Sequence, residues 1–205
     1  MSLWNVPLAD IDLGDDEIRA VTDVLHSKWL SMGPVTAEFE RQFAAMVGVK
    51  HACAVTNCTA ALHLAHLALG AGPGDTVLCP SLTFVATANA VRYTGATPIF
   101  ADIEGPQSLN ISPKAIEARI TPRTRAILVV HYGGYARDMP CILDIARRHG
   151  LVVIEDAAHA IGSRLAQGAL GTWGDVGCYS FFSNKNMTTG EGGMLVTDSG
   201  PLAER

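Results

Sequence analysis

The sequence lacks the features of several classes of protein. It has no basic block, and its 15 Lys and Arg against 20 Asp and Glu give a net charge of −5, which argues against a nucleic-acid partner. No apolar run approaches the ~20 residues of a membrane span. The amino-terminal stretch MSLWNVPLAD has neither the basic nor the apolar region of a signal peptide. We therefore expect a soluble, cytoplasmic protein with no membrane partner.

Cysteine pairing is also missing. The five cysteines are odd in number and scattered, and none forms a C-x-x-C pair. This spacing indicates neither a zinc site nor a disulfide framework. We expect free, buried thiols in a reducing compartment.

What the chain does have is apolar content and glycine. Hydrophobic residues make up 48% of the sequence and charged residues 17%, and there are 20 glycines, which predicts one well-buried, layered domain. Periodicity predicts helices at 15–27, 36–47, 59–70, 84–95, 112–120 and 141–150. Short apolar runs predict strands at 51–56, 75–80, 97–102, 125–131, 151–158, 176–182 and 193–198.

Several predicted strands have no polar face. RAILVVH (125–131) and LVVIEDAA (151–158) are continuous apolar runs, typical of strands that are covered on both sides of a parallel sheet. Because helices alternate with these strands, the sequence predicts an α/β fold, a three-layer α/β/α sandwich with a mostly parallel sheet. The last two predicted strands are separated by a loop and not by a helix.

Three polar segments follow predicted strands. TNCTAAL follows the strand at 51–56, SLTF follows 75–80, and EDAAH closes the strand that ends near Asp156. Ligands of such sheets bind beyond the carboxyl ends of the strands. We expect all three segments to face one crevice.

The first segment predicts an anion site. Thr59 and Ala60 open a helix, where backbone N–H groups and the helix dipole favour a phosphate, and the Thr59 hydroxyl adds a contact. The alternative, in which Thr59 only caps the helix, explains the pattern equally well.

Asp156 ends a wholly apolar strand, so its carboxylate enters the crevice from a low-dielectric wall. Three roles are open to it: binding magnesium, capping a helix, or holding a proton on a ring nitrogen. No second carboxylate or histidine stands at metal-ligand spacing, so we expect no metal. His159 is expected about one turn along a following helix, and alone it indicates a packed or exposed histidine more than a ligand.

Lys185 lies in SFFSNKNMTTGEGG (180–193), between two phenylalanines and a glycine-rich turn. Most lysines are solvated surface charges. A lysine walled off from water near other cations can become a nucleophile, because both effects depress its pKa. Ser180 can direct its hydroxyl at an anion.

Together these groups match the needs of pyridoxal 5′-phosphate. Thr59, Ala60 and Ser180 would contact the phosphate, Lys185 would attach the cofactor covalently, and Asp156 would keep the pyridine nitrogen protonated. Phe84, in SLTFVAT, would either stack on the ring or belong to the core.

The sequence resembles the DegT/DnrJ/StrS family of nucleotide-sugar aminotransferases. The resemblance lies in the segments from WLSMGPV through NCTAAL and SLTFVATANAV, and in PIFADI, HYGGYARDM, VVIEDAAHAIGS and SFFSNKNMTTGEGGMLVTD. The resemblance covers nearly the whole chain from about residue 4, and the run S-F-x-x-x-K-x-x-T-x-G-E-G-G is highly specific. It implies the large domain of the aspartate aminotransferase fold and a pyridoxal-phosphate enzyme.

The resemblance also implies roles for single residues. Lys185 matches the covalent lysine and proton shuttle, Asp156 the pyridine-nitrogen partner, His159 a position near the ring, and Phe84 the stacking aromatic. Ser180, Thr59 and Ala60 match phosphate contacts. The implied reaction moves an amino group, typically from glutamate, to a keto group of a nucleotide-linked sugar, for amino-sugar or polysaccharide synthesis, in a homodimer with shared active sites.

Two departures from the family pattern matter. The family usually has Ser-Gly-Thr where this chain has Asn57-Cys58-Thr59, so Cys58 adds a side chain where the backbone approaches phosphate. Family members are also close to twice as long. We therefore expect a truncated chain: a helical arm (1–30), a cofactor-binding large domain (31–205), no small domain, weak cofactor binding and no normal turnover.

Two rival functions stay open. A pyridoxal-phosphate sugar dehydratase of the same fold carries a histidine in place of the lysine, and Lys185 argues against it. The second rival is a cofactor-binding fragment or regulatory protein without catalysis, which only the expected truncation favours.

Overall fold

The computed structural model describes residues 9–135, 138–166 and 168–205. The first eight residues of the predicted arm, and Ala136 and Arg137 of HYGGYARDM, lie outside the described residues. The strands are β1 (His51–Val55), β2 (Thr76–Pro80), β3 (Thr97–Ala101), β4 (Ile103–Gly105), β5 (Ser108–Ile111), β6 (Thr124–Val130), β7 (Val152–Asp156), β8 (Arg164–Leu165), β9 (Gly168–Ala169), β10 (Val176–Ser180) and β11 (Gly193–Thr197).

Seven strands form the central sheet, in the order β1-β11-β10-β7-β6-β2-β3. All neighbours are parallel except β11, which runs antiparallel to both β1 and β10. The prediction of a mostly parallel sheet is therefore confirmed. Two small hairpins, β4-β5 and β8-β9, lie outside this sheet and were not predicted.

The helices are α1 (Asp15–Ser27), α2 (Pro34–Val47), α3 (Cys58–Ala68), α4 (Val85–Tyr93), α5 (Pro113–Glu117), α6 (Met139–His149) and α7 (Gly200–Ala203). Local chemistry sets several of these ends. Ser112 caps α5 through its hydroxyl, with Pro113 in the first turn. Gly48 ends α2 in the left-handed conformation, which glycine adopts without steric cost.

The sheet is covered on both faces, as the apolar runs predicted. In β6 the side chains of Ala126, Leu128 and Val130 pack with α3 and α4, whereas those of Ile127 and Val129 pack with α5 and α6. Helix α2 packs against β10 and β11 in a further buried cluster, formed by Phe43, Val47, Tyr179, Met194 and Val196. The result is the predicted three-layer sandwich.

Helix α1 has no buried residue, unlike the other long helices α2, α3, α4 and α6. The apolar stripe of α1 is exposed: Ile18, Val21 and Leu25 are 61%, 62% and 59% exposed. Over the described ranges, no helix is both long and apolar enough to cross a bilayer.

Candidate functional site

A cavity of 580 Å³ opens at the carboxyl ends of the parallel strands. The three segments TNCTAAL, SLTF and EDAAH meet there, as predicted. Strand β1 ends at the same edge because β11 reverses direction between β1 and β10. Six of the seven predicted site residues line the cavity: Thr59, Phe84, Asp156, His159, Ser180 and Lys185.

Asp156 is buried, with 5% of its surface exposed, and lines the cavity. Its Oδ2 accepts a hydrogen bond from the Thr87 hydroxyl at 2.9 Å, and its Oδ1 accepts one from the Ala158 N–H at 3.2 Å. Burial raises the pKa of the Asp156 carboxyl, and these two hydrogen bonds oppose the rise. The chain after Asp156 forms turns, so the helix-capping role is wrong, and so is the placement of His159 on a helix.

The start of α3 differs from the predicted one by a single residue, with consequences for its polar groups. The helix begins at Cys58, and Asn57 caps it by accepting the Ala60 N–H at 2.9 Å. The alternative that Thr59 only caps the helix is therefore wrong. Ala60 is not among the residues that line the cavity, and its N–H is already donated to Asn57.

Cys58, the departure from the family pattern, is buried against Asp156. Its Sγ lies 4.0 Å from Asp156 Oδ1, at the long end of the range for a thiol donor. Burial raises the Cys58 pKa well above its usual 9.0, with a further contribution from Asp156, so the thiol keeps its proton. The side chain thus lies beside the carboxylate at the cavity wall.

Ser180 is buried at the end of β10, and its Oγ accepts the Phe182 N–H at 3.4 Å. Ser180 and Val55, the last residue of β1, both pair with Gly193. Gly193 therefore lies between Ser180, at the end of β10, and the end of β1, which leads into α3. A Cβ on Gly193 would overlap the Asn57 carbonyl and lie 2.6 Å from the Cys58 nitrogen, so only glycine allows this approach.

Lys185 is half-buried in the turn after β10, and its N–H donates to the Phe182 carbonyl at 2.9 Å. Its side chain lines the cavity and makes no ion pair with any residue that the structure describes. The two preceding phenylalanines lie in different environments: Phe181 is fully buried against Phe39 and Phe43, and Phe182 lines the cavity. Lys185 is thus not a freely solvated lysine.

His159 and Phe84 lie at the mouth of the cavity. His159 Nδ1 accepts the Gly133 N–H at 3.3 Å, which places the proton of the neutral ring on Nε2, and Tyr132 packs edge-on at 5.8 Å. Burial lowers the His159 pKa, and nearby Lys185 lowers it further. Phe84 is 71% exposed, so its alternative role as a core residue is wrong.

The sequence reasoning missed a second carboxylate beside Asp156. Glu155 is fully buried, and its oxygens accept hydrogen bonds from His131 Nε2 at 2.6 Å and from the N–H groups of Gly171, Trp173 and Gly174 at 2.6–2.8 Å. The signal was available in the sequence, since two successive acids at the end of an apolar strand must point to opposite faces. Across the described ranges, no group of three or more His, Cys, Asp or Glu side chains is arranged to hold a metal.

The fold, with a lysine and a buried carboxylate in one crevice, is that of the large domain of pyridoxal-phosphate aminotransferases. The chain belongs to the DegT/DnrJ/EryC1/StrS aminotransferase family, whose family model matches residues 11–205. Aminotransferases of this family depend on pyridoxal phosphate.

Three relatives define the similarity. The chain is 53% identical over 202 residues to the spore coat polysaccharide biosynthesis protein SpsC of Bacillus subtilis, covering 98% of this chain and 51% of SpsC. It is 48% identical over 204 residues to the GDP-perosamine synthase of Caulobacter vibrioides, covering 99% of this chain and 55% of that protein. The crystal structure of the aminotransferase TlmJ from Streptoalloteichus hindustanus matches with a TM-score of 0.93 at 41% identity, covering 98% of this chain and 55% of TlmJ. The chain thus spans about half the length of these relatives.

Proposed function

We propose that the cavity binds pyridoxal 5′-phosphate and that the protein containing this chain transfers an amino group to a nucleotide-linked sugar. The observation that carries the proposal is the meeting of Lys185, Asp156, Ser180 and Thr59 in one cavity of 580 Å³. Among the described residues, neither the buried Asp156 carboxylate nor the Lys185 amine forms a salt bridge, and both line the same cavity. This pair fits a cofactor that presents a protonated ring nitrogen and an aldehyde.

The phosphate would lie between the start of α3 and the end of β10. Thr59 and Ser180 face the cavity there, and the amino-terminal end of an 11-residue helix favours an anion. Ala60 stays a predicted contact of the same helix start, and its N–H would have to be shared with Asn57.

Asp156 would accept a hydrogen bond from the protonated ring nitrogen and so keep that nitrogen protonated, since Thr87 and Ala158 hold its carboxylate in place at the cavity. Phe84 and His159 would lie against the ring. When bound, the cofactor supplies an electron sink that stabilises negative charge on the substrate carbon.

Lys185 would attach the cofactor through Nζ and then move a proton to and from the substrate carbon as a general acid and base. For this it must be free of an ion pair, as it is among the described residues. Phe182, at the same wall, would help to exclude water.

The substrate class comes from the relatives. One is a GDP-perosamine synthase and another a polysaccharide biosynthesis protein, so we propose a nucleotide-linked sugar as the amino acceptor, with glutamate as the donor. A sugar dehydratase is disfavoured by Lys185. A cofactor-binding protein without catalysis would share the site but show no amino transfer.

We further propose a homodimer with shared active sites, in the cytoplasm, with residues 1–30 as an arm and 31–205 as the cofactor-binding domain. The exposed apolar stripe of α1 supports an interface with a second copy, since apolar surface of this kind is normally covered. The five free cysteines fit a reducing compartment. Sedimentation of a Val21→Asp variant, expected to be monomeric, tests the interface.

The central test is the attachment site. Pyridoxal phosphate is added to the purified chain, the bond to the lysine is fixed with borohydride, and the modified peptide is identified by mass spectrometry. We expect modification at Lys185 and loss of the near-visible absorbance band in Lys185→Ala, with exposed Lys50→Ala as the matched control. An unchanged spectrum in Lys185→Ala, or modification of another lysine, would contradict the proposal.

A further inference from the structure

We propose that Thr83 and Thr87 form a hydrogen-bond relay that positions the Asp156 carboxylate and holds it ionised in the cavity. The Thr87 hydroxyl lies 2.9 Å from Asp156 Oδ2, and the two threonine hydroxyls lie 2.7 Å apart. Thr87 is fully buried in α4, and Thr83 is partly buried and lines the cavity. Thr83 belongs to the segment SLTF that was predicted to face the crevice, whereas Thr87 did not stand out in the sequence.

The direction of the relay follows from the number of protons. An ionised carboxylate has no proton to donate, so Thr87 must donate its hydroxyl proton to Asp156. The Thr87 oxygen then has only lone pairs to offer to Thr83, so Thr83 donates to Thr87. Both hydroxyl protons therefore point toward Asp156, and each oxygen adds to the stabilisation of the negative charge.

Asp156 needs such donors because it is taken out of water. Burial raises the pKa of the carboxyl, and the Thr87 hydroxyl is the largest of the contributions that lower it, ahead of the Ala158 N–H. No Lys, Arg or His among the described residues forms a salt bridge with Asp156. Removing the hydroxyl thus leaves Oδ2 without its Thr87 donor, while the Ala158 N–H and the long contact from the Cys58 thiol both reach Oδ1.

The titration of Asp156 depends on its surroundings from several elements. The other ionisable groups that influence it come from α3, β10, the end of β6 and the turn after β7: Cys58, Cys178, His131 and His159. Threonine and valine are both uncharged, so replacing Thr83 or Thr87 with valine removes a hydroxyl and leaves all of these ionisable groups in place.

The role in holding a ring nitrogen rests on the proposed function, so the first test uses the chain without cofactor. The Asp156 carboxyl is followed by carbon-13 NMR as a function of pH and assigned with Asp156→Asn. We expect a midpoint at higher pH in Thr87→Val and a midpoint near wild type in Thr87→Ser, which restores the hydroxyl. Thr83→Val should shift the midpoint in the same direction by less.

The matched control is Thr197→Val, which removes a buried hydroxyl that donates to the Asp175 carbonyl outside the cavity. It should leave the Asp156 titration unchanged. A wild-type midpoint in Thr87→Val, or an equal shift in Thr197→Val, would overturn the relay. If Thr87→Val does not fold, Thr83→Val decides the question, because its side chain is only partly buried.

The second test measures the affinity for pyridoxal phosphate by fluorescence titration. At neutral pH we expect the dissociation constant of Thr87→Val to rise about tenfold, and the difference from wild type to shrink as the pH is raised and Asp156 ionises again. If Thr87→Val weakens cofactor binding by the same factor at every pH, the relay is not the cause of the weaker binding. If wild type binds no cofactor, the proposed function fails, while the NMR titration still decides the relay.

Discussion

Glu155 and Asp156 are consecutive residues of β7, and their carboxylates lie on opposite faces of the sheet. Asp156 lies beside α3 and α4 and lines the cavity. Glu155 lies on the other face, where it accepts hydrogen bonds from His131 and from three backbone N–H groups of the 171–174 turn. The end of β7 therefore supplies two acids with different surroundings: Asp156 lines the cavity, and Glu155 binds His131 and the 171–174 turn on the opposite face of the sheet.

Glu155→Gln should destabilise the fold by about 3 kcal/mol, because an amide nitrogen would face backbone donors that now meet a carboxylate oxygen in a fully buried position. Urea unfolding followed by circular dichroism measures the loss, with the exposed Glu204→Gln as control. Equal stabilities of the two variants would contradict the assigned role of Glu155.

Asp156 should make the stability of the chain without cofactor depend on pH. Because burial raises its pKa above the usual 3.8, the native state holds the proton more tightly than the unfolded state. That contribution is fully present below pH 3.8 and is lost as the pH rises through the raised native pKa. Asp156→Asn has no proton to lose, so wild type should lose stability relative to this variant as the pH rises.

Denaturant unfolding of both proteins between about pH 4 and 8 checks this dependence. The other titrating groups are common to both proteins, so they largely cancel in the difference. Exposed Asp23→Asn supplies a baseline. A difference that grows in favour of wild type with rising pH would show the opposite sign and refute the argument.

Gly193→Ala should disrupt the α3 start, because its Cβ would meet the backbone of Asn57 and Cys58. We expect a loss of about 2–3 kcal/mol and weaker binding of inorganic phosphate. Gly72→Ala is the control, since a Cβ there meets nothing within 4 Å and the backbone is not left-handed. Thermal unfolding and phosphate-dependent stabilisation distinguish the two, and an unaffected Gly193→Ala would show that the turn can move away.

The five cysteines should divide by reactivity. Burial raises the pKa of all five thiols, that of Cys79 to about 12 and those of Cys58 and Cys178 well above 9. Cys53 and Cys141 differ from the other three because they are partly exposed. Iodoacetamide near neutral pH should modify Cys53 and Cys141 in the native chain and the other three only after unfolding. Peptide mapping by mass spectrometry follows each site, and early modification of Cys58 would indicate an open α3 start.

Much of the fold could be predicted from local pattern. The predicted helix at 15–27 has the observed ends, and the helix predicted at 112–120 begins within one residue of the observed start of α5. The continuous apolar runs predicted a sheet covered on both faces because both rows of side chains are buried. The β4-β5 and β8-β9 hairpins were missed, since strands of two to four residues have too few positions to show a period.

The candidate site was less predictable in its supporting groups. Strand ends placed Thr59, Phe84 and Asp156 at one edge, because parallel strands share that edge. Thr87 gave no such signal, since its contact with Asp156 joins residues 69 apart along the chain. Likewise Asn57 was not chosen over Thr59 as the cap of α3, because both side chains are acceptable caps and only the backbone decides between them.

The position of β11 also sets the order in which the crevice is completed during synthesis. In the described sheet, β1 pairs only with β11, and its His51 pairs with Thr197, 146 residues later (197 − 51). During synthesis, β1 has no strand partner in this sheet until residues Gly193–Thr197 have left the ribosome. The parallel strands that present Asp156 can pair earlier, so we expect the Asp156 side of the cavity to form before the side at the start of α3, which β11 completes.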